Sequence, residues 1–218
     1  MNNYTILAPA FYNSWNKVKY LKQSADRWGV PITFYGFGEP YRGWHDVQID
    51  RLITEVEKIE TKWVIYTDAS DTIINGAYPL DSTITALVDP PEPWATLIFS
   101  VESPGHLCAG GLICNTGTLL PILKQLKEFR PCNFCDSETS NPQIKWQCYM
   151  GHWREEYKDY GREIFQVADE PLEIRNGRVY NPRTQTFPFI VHWAGGYTDP
   201  EVGKEALMGD VCRQLGYE

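Results

Sequence analysis

Asp68 and Asp71 follow directly on the apolar run Trp63-Val64-Ile65-Tyr66-Thr67. Two carboxylates at this spacing, where a strand gives way to a loop, can converge on one point. Hard oxygen ligands of that kind hold Mg2+ or Mn2+. An ion held there would bridge the oxygens of a diphosphate and offset the charge that builds up as it leaves. The same pair would equally serve to cap the turn or helix that follows, so both readings stand at this point. Far along the chain, Phe187-Pro188-Phe189-Ile190-Val191 runs into His192, Trp193, Ala194, Gly195 and Gly196. A strand there delivers an imidazole, and a Gly-Gly turn lets backbone amides approach an anion. The alternative for His192 is a core histidine, hydrogen-bonded at the sheet end.

The elements that must position these groups can be read from hydrophobic periodicity. Tyr4 to Ala8 is an apolar run closed by Pro9, which predicts a buried first strand. Val18, Leu21, Ala25 and Trp28 recur at helical spacing, with Gly29 as the stop. Pro31 to Tyr35 reads as a second strand. Ile49, Leu52, Ile53, Val56 and Ile59 form the stripe of an amphipathic helix, and Trp63 to Thr67 a strand covered on both faces. Strands alternating with helices predict a mainly parallel sheet with helices on both faces. In such sheets the ligand crevice lies outside the carboxyl ends of the strands, which puts Pro9, Ala10, the Gly36 to Gly43 loop and Asp68 to Asp71 on one rim. Further on, Thr96 to Ser100 and Leu112 to Cys114 read as strands. Leu119 to Phe129 is a helix with Pro121 in its first turn, and Phe165 to Ala168 and Phe187 to Val191 are strand candidates. No linker interrupts this order, so residues 1–218 read as one domain.

Three segments add to the picture: Ser100-Val101-Glu102-Ser103 at the end of a strand, Asn115-Thr116-Gly117 before the Pro121 helix, and His192 to Gly196. Together with Asp68-x-x-Asp71, in this order over about residues 4 to 198, they resemble the glycosyltransferase domain of procollagen lysyl hydroxylases and related procollagen galactosyltransferase-like enzymes. Arg162-Glu163-Ile164-Phe165-Gln166 is similar to a further strand of that family. The resemblance implies a GT-A (Rossmann-like) α/β fold: a mixed, mainly parallel sheet flanked by helices. It implies a metal-dependent transferase moving a sugar from a nucleotide-diphosphate donor, UDP in that family, to a hydroxyl. By this likeness Asp68, Asp71 and His192 would hold Mn2+, because an imidazole beside two carboxylates suits Mn2+ better than Mg2+. Gly195 and Gly196 would lie near the donor diphosphate. Glu102, Ser103, Asn115, Thr116 and Gly117 would line the sugar or acceptor pocket. Ser70 stands where the family carries an aromatic that packs on the base. Trp146 and Gln147 fall where the family has an acid followed by Gln. An inverting reaction needs a carboxylate to take the acceptor's proton; Glu102, Asp136, Glu138 and Asp199 are candidates by location.

Cys132-x2-Cys135-x12-Cys148-x3-His152 has the spacing of a four-ligand zinc site, which would staple the loop-rich stretch 130–153. Ordinary buried or loop thiols are the alternative. Of the eight tryptophans, Trp15, Trp44, Trp146, Trp153 and Trp193 fall beside the rim, where aromatic faces stack on sugars or bases. Trp193, next to His192, is the one expected to touch ligand, while Trp28, Trp63 and Trp94 are expected in the core. The net charge of −8 disfavours non-specific nucleic-acid binding but leaves room for a local basic groove. No apolar run approaches the roughly 20 residues of a membrane helix, and no secretory signal is visible. A cytoplasmic protein is the expectation. The acceptor would be a hydroxyl on a protein, a glycan or a hydroxymethylated DNA base. The competing class is a non-catalytic glycan- or nucleic-acid-binding module on the same fold.

Overall fold

The structure, a computed structural model, describes residues 3–40, 49–77, 97–101, 107–129, 146, 148–149, 159, 162–168, 171–194 and 203–218. Five strands form the larger sheet: β1 (Tyr4–Pro9), β2 (Ile32–Tyr35), β3 (Trp63–Thr67), β5 (Leu97–Val101) and β6 (Leu107–Asn115). Their order is β2-β1-β3-β6-β5. β1 lies parallel to both β2 and β3. β6 is antiparallel to β3 and to β5, so four of the five strands point the same way. A smaller sheet has the order β4-β10-β7, from β4 (Thr72–Ile74), β7 (Phe165–Val167) and β10 (Ile190–His192). The strands β8 (Glu173–Arg175) and β9 (Arg178–Tyr180) make a separate hairpin.

β3 explains the layering. Its residues alternate faces and all five are buried. Trp63 and Ile65 pack into one core with Ile6, Ala8 and Ile113, under helix α1 (Lys19–Trp28). Val64 and Tyr66 pack into the other core with Leu7, Leu112 and Cys114. That second core is covered by Ile49, Leu52 and Val56 of α2 (Ile49–Val56) and by Leu119, Leu123 and Leu126 of α3 (Thr116–Glu128). The first core also holds Ile74, Phe165 and Ile190, so both sheets share it. Ser24 of α1, fully buried, accepts the Ile74 backbone N–H at 2.9 Å and so ties the helix to β4. A last helix, α4 (Lys204–Gln214), lays Met208 and Cys212 on Ile73, Val191 and Trp193 of the smaller sheet.

The first half matches the expectations closely: β1, α1 with Gly29 in the left-handed conformation at φ 64, β2, α2 and β3. Three features differ. β6 runs from Leu107 rather than Leu112, because Ala109, Gly110 and Gly111 mask its apolar pattern. α3 starts at Thr116, three residues before the expected Leu119, with the Asn115 side chain accepting the Gly117 N–H as its cap. The three-residue strand β4, whose partner lies more than 100 residues away, has no local signal.

Candidate metal and donor site

β3 ends at Thr67, and the next backbone N–H, that of Asp68, still bonds to the Gly110 carbonyl of β6 at 3.0 Å. Ala69 is buried and Ser70 exposed. Asp71 then stands immediately before β4, and its carbonyl accepts the Trp193 N–H at 2.8 Å. Because β4 pairs antiparallel with β10, Thr72 stands opposite His192. The short 68–71 link thus carries one carboxylate on the large sheet and one on the small sheet. The pairing brings the imidazole to both. His192 Nε2 lies 3.6 Å from Asp68 Oδ2 and 3.5 Å from Asp71 Oδ1. One ligand atom from each of the three side chains lies within 4.8 Å of the others. Two ligands about 2.1 Å from an octahedral ion lie roughly 3 Å apart when adjacent and about 4 Å when opposite; the two separations between His192 and the carboxylates fall in that interval.

Two further observations show that these residues fit a cation. Asp71 is only 9% exposed and its Oδ1 has no hydrogen-bond partner; at 3.5 Å the imidazole is beyond ordinary hydrogen-bond range. A buried carboxylate oxygen left bare costs on the order of 1–3 kcal/mol, more for a charged group, unless something satisfies it. The second is Gly110. A Cβ built there would stand 2.3 Å from His192 Cε1 and 2.7 Å from Asp68 Oδ2, so only glycine lets the ring and the carboxylate meet.

Charge is balanced locally. Lys204 of α4 donates to Asp71 Oδ2 at 2.8 Å, and Tyr66 donates to Asp68 Oδ1 at 3.3 Å. Burial would raise the Asp71 carboxyl, but the His192 ring and the Lys204 ammonium outweigh it and hold that carboxyl well below the usual range. Burial likewise works against a charged His192. Cys108 and Asp71 reverse that and hold the ring well above its ordinary value.

Other expected site residues fall elsewhere. Asn115, Thr116 and Gly117 are not brought to the site. Asn115 pairs with Trp63 at the far end of β3, whereas Gly111 pairs with Thr67 at the near end. At about 3.4 Å per residue, that separates Asn115 from Gly111 by roughly 14 Å along the strand. There Asn115 caps α3, and Thr116 bonds to the Thr61 carbonyl. Trp193 is 2% exposed and packs among Val191, Met208 and Cys212; strand alternation turns it away from the face that carries His192. Trp146 is fully buried, with its ring edge-on to Phe99 at 5.2 Å. Both tryptophans are core residues, not ligand platforms. Pro9 and Ala10 lie on the Asp68 rim but are buried, and Ala10 spends its N–H on the Tyr35 carbonyl. Trp15 is 46% exposed, stacked on Phe37 at 4.2 Å. Cys148 is disulfide-bonded, which leaves no thiolate there for the expected zinc. Cys132, Cys135 and His152 lie outside the described residues, as do Trp44, Trp94, Glu102, Ser103, Asp136, Glu138, Gln147, Trp153, Gly195, Gly196 and Asp199. Sequence reasoning missed Cys108, Gly110 and Lys204; a glycine doublet inside an apolar run was the one signal available.

Among solved structures the chain resembles a glycosyltransferase involved in the glycosylation of the major capsid of PBCV-1, with a TM-score of 0.60 at 17% identity over 98% of both chains. It also resembles glycosyltransferase GlyE of Streptococcus pneumoniae TIGR4. The apo form gives a TM-score of 0.57 at 14% identity, covering 96% of this chain and 60% of that one. The fold is GT-A-like. Within a GT-A-like sheet, the Asp68 rim is the ligand rim expected of parallel strands. A second GlyE structure gives a TM-score of 0.55 at 15% identity, covering 95% of this chain and 60% of that one. No protein-family model and no curated protein matches the sequence. Among the described residues, no helix is long and apolar enough to cross a membrane.

Proposed function

We propose that the chain is a metal-dependent glycosyltransferase that moves a sugar from a nucleotide-diphosphate donor to a hydroxyl. Asp68, Asp71 and His192 would hold the divalent cation. The observation that carries this reading is their convergence across two sheets, with Asp71 Oδ1 buried and unsatisfied at the centre. Two carboxylates plus an imidazole favour Mn2+ over Mg2+. When bound, the cation supplies positive charge against the leaving diphosphate. The chain's own residues do the rest. Lys204 fixes Asp71 through its second oxygen, and Tyr66 steadies Asp68. By the family likeness, Gly195 and Gly196 would offer backbone amides to the donor. Glu102 and Asp136 remain the candidates for the general base.

A UDP-sugar donor is what the resemblance to the procollagen enzymes implies, and that resemblance is carried here by Asp68, Asp71 and His192 rather than by Asn115 to Gly117. Among the acceptors, a protein- or glycan-linked hydroxyl agrees best with the capsid enzyme of similar fold and with the net charge of −8. A DNA base would ask an acidic protein to bind a polyanion.

The test is hydrolysis of a panel of nucleotide sugars with and without Mn2+. At least one donor is expected to be cleaved only with metal. Asp71→Ala should lower that rate by about two orders of magnitude, roughly 3 kcal/mol of transition-state stabilisation. If no donor is cleaved with Mn2+ present, and Asp71→Ala binds nucleotide sugars as well as the parent does, the transferase reading fails.

A further inference from the structure

His192 has two ring nitrogens, and only Nε2 faces the aspartates. The other, Nδ1, lies 3.5 Å from the sulfur of Cys108, within range for a hydrogen bond to sulfur. Cys108 is 1% exposed and not in a disulfide. It sits on β6 two residues before Gly110, in the stretch where the register with β5 shifts, and both positions come up against the His192 ring. β6 thus presents a thiol to one side of the ring and bare backbone beneath its Cε1.

We propose that β6 is the orienting strand of the site: the Cys108 sulfur accepts a hydrogen bond from the Nδ1–H of His192 while Gly110 makes room for the ring, so that Nε2 is aimed at the cation position. This rests on the cation reading given above. The reasoning is one of tautomers. An imidazole binds a metal through a nitrogen that carries no proton, so the proton must sit on the other nitrogen, and the group facing that other nitrogen decides whether it stays there. Metal-bound histidines ordinarily find a carboxylate, carbonyl or water for this purpose. Here the sulfur fills the role. Its partnership is the same whether Nε2 holds a proton or an ion, so the ring keeps its orientation on uptake. Cys108 is therefore a positioning residue and not a ligand.

The experiment is a Mn2+ titration followed by electron paramagnetic resonance of the free ion, without any nucleotide sugar, on the parent, Cys108→Ala and Cys108→Ser. Alanine removes the acceptor; serine keeps one. Loss of an outer partner of this kind costs about tenfold or more in metal affinity. Cys108→Ala should weaken Mn2+ binding by that factor, and Cys108→Ser should restore most of it. Equal affinity in parent and Cys108→Ala overturns the orienting role while leaving the cation site intact. Equal weakening in both variants also overturns it, since packing alone would then account for the loss. If the parent binds no Mn2+, the cation reading itself falls, and this inference with it.

Discussion

The two oxygens of Asp71 have different neighbours: Lys204 at 2.8 Å from Oδ2, and no hydrogen-bond donor at Oδ1. The lysine thus stabilises the carboxylate without filling the position that faces His192 and Asp68. Lys204→Met should lower the melting temperature of the metal-free protein, because it leaves a mostly buried carboxylate with one cation fewer. Saturating Mn2+ should narrow the gap to the parent, because the ion supplies Asp71 with the charge lost with the lysine, so that it binds the variant more tightly and stabilises its native state by the larger amount. Thermal melts with and without metal check both halves. At this scale, sequence reading singled out the aspartates and His192 through the order of the motifs along the chain, since a carboxylate pair or an imidazole at a strand end would by itself equally be a cap or a core residue. It misplaced Asn115 to Gly117 because a string of residues does not say toward which end of the sheet its strand runs. It misassigned Trp193 because a neighbour in sequence on a strand is on the opposite face in space.

Asp159 shows what a single side chain does for an element. Its Oδ2 accepts the backbone N–H groups of Ile164 and Phe165 at 2.9 and 2.8 Å, and its Oδ1 that of Glu163 at 3.2 Å. Those donors lead into β7. Burial pushes the carboxyl upward, and the three amide donors pull it back in part. Asp159→Ala should destabilise the fold by roughly 1–3 kcal/mol, the cost of leaving buried donors unsatisfied. Urea denaturation reads this directly, with an unchanged slope expected. None of this was legible beforehand, since Asp159 falls in a stretch with no periodic pattern. β4, β8 and β9 escaped for a related reason: three residues cannot display a period, and their pairing is decided by tertiary contact. The long helices and β3 were legible because each buries a face whose spacing is written along it.

At the scale of the whole molecule, stability depends on how well α4 seals the smaller sheet. Cys212 is fully buried there, and burial pushes its thiol up to about 12 from an ordinary 9.0. A raised folded value means that the native state prefers the protonated thiol. The stability this contributes is complete below pH 9 and is lost as pH rises from 9 toward 12, by up to about 1.4 kcal/mol per pH unit. Cys212→Ala lacks the titrating group. Its deficit relative to the parent should be constant at neutral pH and shrink above pH 9; urea midpoints at several pH values measure it. A constant deficit up to pH 11 would refute the linkage.

The 68–71 link joins the two sheets by the shortest covalent route between β3 and β4, and its flanking carboxylates face a histidine that closes the loop from the far side. An ion there would act as a rivet through a lap joint. Amide protons in β4 and β10 should then exchange with solvent at a rate set by metal concentration, although none of those amides touches the metal.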